Sequence, residues 1–328
     1  MKKSILILIL FCFQKISLAQ VYTTINPLAH TFSIVARDDQ TGELAVAVQS
    51  HWFSVGTSVS WAEAGVGAIA TQSFTNKSFG PRGLNLLRSG LTAQQTLDSL
   101  IASDEGRDVR QVGIVDKNGN VATYTGKGCI DYAGHLQGNG FSVQSNMMLT
   151  NKVPQAMSDA FDKSTGKPLG ERLLLALEAA QKAGGDIRGK QSAAMLIVPG
   201  QSEGKPWDER TVDLRVDDSP APIAELRRLY AVHTAYQHMN NGDLAVEKND
   251  MKKAMEEYNA AMKMFPQNVE MQYWTAITLA NNKQVNKAMP ILKKVFASDK
   301  NWKELTRRLP KANLLTVSDL ELKRILSL

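Results

Sequence analysis

Residues 31–56 read TFSIVARDDQTGELAVAVQSHWFSVG, and this stretch leaves few architectures open. Phe32, Ile34 and Ala36 alternate with Thr31, Ser33 and Val35, the period-2 pattern of a strand whose two faces differ. The turn cluster DDQTG follows at 38–42. Leu44 to Val48 is then apolar without a break, as expected for a strand covered on both sides. The two strands read as a hairpin that opens on a hydroxyl residue, Thr31.

What precedes Thr31 gives that position its interest. Met1 to Gln20 has two lysines, the apolar run ILILILFCF, and small residues Ser17 and Ala19 at the −3 and −1 positions of a cleavage site, so residues 1–20 read as a signal peptide and the chain as exported. The apolar run is too short for an ordinary spanning helix, and no stable membrane span is expected. Cleavage there leaves residues 21–30 as a polar lead ahead of Thr31, and leaves Cys129 as the one cysteine, which excludes an intrachain disulfide.

At 328 residues the chain exceeds one average domain, and 43% hydrophobic with 21% charged residues is a foldable composition. The net charge of +6 is modest, and no basic stretch is interleaved with aromatics, so no nucleic-acid partner is expected. Beyond the hairpin, Gly65–Thr71 reads as a buried strand. A short helix starts near Pro81, and Thr92 caps another over 93–103. Arg110–Asp116 and Asn120–Thr125 flank DKNGN, whose Asn118-Gly119 pair is a hairpin signal. Glycine-rich 126–140, with His135, reads as a surface loop. Phe141–Met147, Ser192–Val198 and Thr211–Val216 read as strands, and 154–162 and 169–182 as helices. Strands, then helices, then strands argue for an α+β fold over regular βαβ alternation.

After DDSPAP at 217–222 the character becomes helical. Ala254 and Ala288 are 34 residues apart, as are Tyr258 and Leu292, so 251–268 and 285–301 align as two units of a tetratricopeptide-like (TPR-like) helix repeat, the second carrying Pro290 inside its helix. The expected organisation is signal peptide 1–20, lead 21–30, α+β domain 31–216, linker and helix 217–232, TPR-like repeats 233–300 and helical tail 301–328.

The motifs TFSIVARD, WAEAGVGAIATQ (61–72), FGPRGL (79–84), RQVGIVD (110–116), GFSVQSNM (140–147) and GDIRGKQSAAML (185–196) resemble, in order, the DUF1028 family, over roughly Thr31 to Arg228. That family is of unknown function and is grouped with the N-terminal-nucleophile (Ntn) hydrolases. The resemblance implies a four-layer αββα Ntn-hydrolase-like sandwich, followed here by the TPR-like region. It maps the nucleophile onto Thr31. In such enzymes the nucleophile's own α-amine, with a reference pKa of about 8, serves as general base, which requires that residue to begin the chain. A second cut, at His30–Thr31, is then needed. The chain departs from the proteasome-type pattern in having no lysine between Lys15 and Lys77.

Around that nucleophile, Ser33 shares its strand face, and Gln49 and Ser50 end the neighbouring strand, where they would orient it or stabilise an oxyanion. Arg82 is a candidate for a substrate carboxylate, and Asp186, Arg188, Gln191 and Ser192 for a pocket wall, although Asp186 and Arg188 can equally lock a turn. The histidines are scattered and no metal or other cofactor is expected. Two functions stay open: an exported amidohydrolase cutting a small amide or peptide bond through Thr31, and a non-catalytic envelope scaffold that binds a protein partner through its repeats. A homo-oligomer is compatible with either.

Overall fold

The computed structural model describes residues 28–29 and 31–328. The expected signal peptide, the His30–Thr31 bond and all of the lead except Leu28 and Ala29 lie outside the described residues. The chain divides into two compact units between Pro220 and Ala221. None of the described helices is long and apolar enough to cross a membrane.

In the first unit, one antiparallel sheet has β2 (Thr31–Arg37) and β3 (Leu44–Ser50) at its centre, in the order β11-β10-β3-β2-β9-β8. Its other strands are β8 (Gly134–Gly138), β9 (Phe141–Ser145), β10 (Ser192–Val198) and β11 (Val212–Val216). The second antiparallel sheet runs β1-β5-β6-β7, from β1 (Leu28–Ala29), β5 (Gly67–Phe74), β6 (Arg110–Asp116) and β7 (Val121–Thr125). Here β4 (Ser60–Glu63) also pairs with β5. A single turn of helix, α1 (Gly56–Val59), leads into β4.

The two sheets face one another across Val35, Val46, Val48, Ala68, Ala70, Val115, Ala194 and Leu196, all buried. Helices α2 (Phe79–Arg88) and α3 (Ala93–Ala102) cover the far side of the β5–β6–β7 sheet, seating Leu84, Leu97 and Leu100 on Ile69, Val112 and Ile114. Helices α4 (Val153–Lys163) and α5 (Leu169–Lys182) lie against the other sheet. Each large aliphatic side chain fully buried contributes about 1.5–3 kcal/mol, so slipping β2 by one residue, which exchanges its two faces, is strongly disfavoured. The hairpin turn is fixed by Asp38, whose carboxylate accepts from the N–H groups of Gln40 and Thr41 at 2.9 and 3.0 Å and pairs with Arg172 of α5 at 3.5 Å.

The α+β architecture follows the sequence reading, with local differences. Residues 126–140 are not all loop: 134–138 form edge strand β8, because His135 and Leu136 find backbone partners on β9. Strand β4 has no clear period in so short a run. Helix α2 begins two residues before Pro81, which sits in the first turn, where the N–H it lacks has no helical carbonyl to reach. Thr92 caps α3 with a full capping box shared with Gln95.

The second unit is helical: α6 (Pro222–Glu247), α7 (Met251–Met264), α8 (Val269–Asn281), α9 (Val285–Ser298), α10 (Asn301–Arg308) and α11 (Asp319–Leu326). Helix α6 runs unbroken through the expected boundary at 232–233. Helices α7 and α9 are both 14 residues long, start 34 positions apart, and bury the matching pairs Ala254/Ala288 and Tyr258/Leu292 completely. Gly242 gives the Tyr258 ring its place, since a Cβ there would lie 2.4 Å from Cε1.

Candidate functional site

Side chains alternate along β2, so Thr31, Ser33 and Val35 point between the sheets while Phe32, Ile34 and Ala36 point toward the helices. The inter-sheet layer is apolar around Val35 and becomes polar toward Thr31. Register brings Thr31 opposite Ser50, and Ser50 opposite Ser192, on one side; Ser33 lies opposite Gln144 on the other. The facing sheet supplies Gln72 and Gln111, themselves cross-strand partners.

These groups form one hydrogen-bonded cluster. The Ser33 hydroxyl donates to Gln72 Oε1 at 2.7 Å and accepts from Gln144 Nε2 at 2.7 Å. Gln72 Nε2 donates to Gln111 Oε1 at 2.7 Å and to the Thr31 carbonyl at 3.2 Å. Gln111 Oε1 also accepts from Asn146 Nδ2 at 2.9 Å, while its Nε2 donates to Thr125 Oγ1 and to the Ser145 carbonyl, both at 2.9 Å. Thr125 Oγ1 lies 2.8 Å from His135 Nδ1. Gly113 makes room for this, since a Cβ there would sit 2.4 Å from Gln144 Oε1. A neutral network of this kind is tolerated inside a core only when its members satisfy one another.

Thr31 is the exception. It is fully buried, its carbonyl is held by the Asn146 N–H at 3.0 Å as well as by Gln72, and its hydroxyl has no hydrogen-bond partner among the described residues. The hydrogen-bonded members around it are amides and hydroxyls, so they can orient and donate but cannot take a proton near neutral pH. The nearest titratable member of the network is His135, and burial pushes its pKa below the ordinary value. Cys129 is half-buried, and desolvation raises its thiol pKa, the opposite of an activated nucleophile. Among the described residues no group of three or more His, Cys, Asp or Glu is placed to hold a metal ion.

Of the residues expected around Thr31, Ser33 and Ser50 share its face. Gln49 lies on the opposite face of β3, beside Phe32, with both amide atoms buried and unpartnered. Arg82 sits on the exposed side of α2, donating to Ser103 Oγ at 2.6 Å, apart from the cluster. Asp186 is buried and binds Arg188 through both oxygens (3.1 and 2.7 Å) and the His51 N–H at 3.0 Å, so this pair locks a turn. Ser192 donates to the Trp52 carbonyl and accepts from the Val55 N–H, and the Gln191 side chain reaches Asp218. Sequence reasoning missed Gln72, Gln111, Gln144 and Asn146. The available signal was a glutamine near one end of three otherwise buried strands, in ATQSF, RQVGIV and FSVQS.

The profile of the family of unknown function DUF1028 matches residues 31–226. The chain belongs to this family. A crystal structure of the DUF1028 protein SPO2555 from Silicibacter pomeroyi is similar, with a TM-score of 0.56 and 33% identity over 61% of this chain and 84% of that one. Anbu (ancestral beta-subunit) from Yersinia bercovieri aligns over 61% of this chain and 93% of its own at 13% identity, with a TM-score of 0.30. No curated protein matches.

Within the DUF1028 segment, the described non-glycine residues with positive φ are Ser54, Ser73, Tyr132 and Met147. All four lie in or beside connections at the Thr31 end of the sheets: Met147 follows Asn146, Ser73 follows Gln72, Ser54 is four residues after Ser50, and Tyr132 is in the loop whose Ile130 carbonyl accepts from the Met147 N–H. Such conformations cost about 1–3 kcal/mol each and gather where surrounding structure fixes a site.

Proposed function

We propose that this DUF1028 protein is an exported Ntn-type amidohydrolase that cleaves a small amide or peptide bond through Thr31, once Thr31 has become the first residue of its chain. The observation that carries this reading is the buried, unpartnered Thr31 hydroxyl at the head of β2, beside a network of fixed amide donors. A buried hydroxyl without a partner costs about 1–3 kcal/mol, and what sets Thr31 apart from the other such hydroxyls, those of Ser60, Ser73, Thr96 and Ser145, is its place at the start of β2 with its carbonyl held by that network. The paired sheets, with helices outside both, fit the αββα sandwich of that superfamily.

Self-processing would proceed by attack of Thr31 Oγ1 on the His30 carbonyl carbon. The His30–Thr31 C–N bond breaks and the hydroxyl proton passes to the departing nitrogen, leaving an ester on Oγ1 and a free α-amine on Thr31; water then hydrolyses the ester to a His30 carboxylate and restores the hydroxyl. The liberated amine, with a reference pKa of about 8, replaces the base that the surrounding amides cannot supply. Gln72 and Asn146 would hold the Thr31 backbone throughout.

Intact mass and N-terminal sequencing of the mature wild type, Thr31→Ser and Thr31→Ala test this. The expected result is a chain beginning at residue 31 in the first two and a retained lead in Thr31→Ala. A retained lead in all three overturns it.

One observation favours a second reading, a non-catalytic scaffold: Leu28 and Ala29 pair with Phe74 and Ser73, which keeps the chain ahead of Thr31 hydrogen-bonded to β5. In that reading the 34-residue spacing of α7 and α9 belongs to TPR-like repeats that hold a protein partner, and Thr31 is a packing residue.

A further inference from the structure

Away from Thr31, the two sheets differ in extent. Strand β11 continues its sheet beyond β10, whereas the facing sheet stops at β4. The resulting cleft, about 740 Å³, has Ala194, Leu196 and Val198 of β10 along its floor and Trp61 and Leu84 on its wall. That volume is in the usual range for small-molecule sites.

Its polar lining is unequally committed. Arg88 is held by Glu63 and by Asn85 Oδ1. Glu209 turns its carboxylate into its own loop, accepting from Ser202 Oγ and from the N–H groups of Glu203 and Lys205. Asp213 pairs with Arg210 through Oδ2 at 2.6 Å, and its Oδ1 makes a long ion pair with Arg215 Nε at 3.9 Å, beyond hydrogen-bonding distance. The Arg215 guanidinium therefore makes no hydrogen bond among the described residues. Register sets Arg215 opposite Ala194 and Asp213 opposite Leu196, which puts both side chains on the sheet face that forms the floor. Gly56 clears the path of the Arg215 stem: a Cβ there would lie 3.1 and 3.2 Å from Cγ and Cδ. A 410 Å³ depression shares Glu63 and Arg88 with the cleft and adds Lys117, so Arg88, Lys117, Arg210 and Arg215 face Glu63, Glu209 and Asp213. One cation is in excess.

We propose that this cleft is a binding site, separate from Thr31, for a small amphipathic carboxylate whose hydrocarbon part lies on Ala194, Leu196 and Trp61 and whose carboxylate takes the free donors of Arg215. A guanidinium presents paired N–H groups that match a carboxylate in two-point contact. The competing explanation is that Arg215 and Asp213 merely guard the edge strand β11 against pairing with another chain.

Octanoate separates the two, with 1-octanol as the uncharged probe of equal chain length, each titrated into the full-length protein by calorimetry. The site predicts saturable one-to-one octanoate binding, weakened at least tenfold in Arg215→Met, weakened by less in Arg215→Lys, which keeps the charge but loses the two-point contact, and at least tenfold stronger than 1-octanol. Thermal melts of both variants establish that they fold. Absence of saturable octanoate binding to wild type overturns the proposal, as does equal binding of octanoate by wild type and a folded Arg215→Met. Because Thr31 lies outside the cleft, Thr31→Ala should bind octanoate as wild type does, whatever the processing experiment returns.

Discussion

Gln72 Nε2 donates to the carbonyl oxygen of Thr31 at 3.2 Å, a side chain of one sheet holding the backbone of the other. The same amide contacts Ser33 and Gln111, so it is the point at which the inter-sheet layer turns from apolar to polar.

Replacing it with an isosteric hydrocarbon should therefore be expensive. Gln72→Leu takes one partner each from Ser33, the Thr31 carbonyl and Gln111 Oε1; the two oxygens keep Asn146, so the Ser33 hydroxyl proton is the group left unpaired, at about 1–3 kcal/mol, with the two weakened acceptors adding to it. We expect a loss of about 3 kcal/mol in urea unfolding. A loss below about 1 kcal/mol would mean that water enters the layer and replaces the amide.

His135 gives the cluster a pH dependence. Thr125 Oγ1 accepts from Gln111 and lies 2.8 Å from His135 Nδ1, a contact in which either atom can be the donor. Burial lowers the folded pKa below 6.5. The unfolded chain then takes up the proton first, so this contribution is complete above about pH 6.5 and is lost as the pH falls below it. The difference in urea midpoint between pH 8 and pH 5.5 should shrink in His135→Gln; an unchanged difference would locate the acid sensitivity elsewhere, for instance at His233, whose pKa burial also lowers.

Asp186→Ala should behave as a structural lesion. It removes one partner of Arg188 and the acceptor for the His51 N–H, and breaking a buried pair costs about 3–5 kcal/mol. Arg188 keeps 28% of its side chain exposed, so we expect about 2 kcal/mol by chemical denaturation. If the residue instead lines a substrate pocket, activity falls while the unfolding midpoint stays put.

In the helical unit, Gly242→Ala drives a methyl group into the Tyr258 ring, which is fully buried and donates to Asp243 at 2.6 Å. Overpacking of this kind costs about 1–3 kcal/mol. Circular dichroism melts of the full chain should show a lower transition for Gly242→Ala, while exposed Glu247→Ala should leave it within experimental error.

The strands and helices with a strong period were legible in the sequence: β3 and β10 as unbroken apolar runs, α3 through its Thr92 cap, and α5 to the residue. The helical character of the chain after DDSPAP was legible, and α7 and α9 start 34 positions apart, the spacing of Ala254 from Ala288 and of Tyr258 from Leu292. The polar cluster was not, because it is assembled across two sheets. Gln111 and Asn146 are 35 positions apart and Ser33 and Gln144 are 111 apart, and no local pattern records which strand faces which. Gln49 was misgrouped for a simpler reason: it adjoins Ser50 in sequence, and neighbours on a strand point to opposite faces. Strand β8 was hidden by glycines that look like loop until β9 is there to pair with them.

Strand β2 is an interior strand, bonded to β3 along its whole length and to β9 from Phe32 onward. A chain end ordinarily frays, because nothing opposes its motion. Here the first residue of the strand is anchored by Ser50 on one flank and by Asn146 and Gln72 at its carbonyl, none of which belongs to the segment ahead of it. Severing the backbone at that point would therefore create a terminus that is already clamped, a mobile end made into a fixed part by the sheet around it.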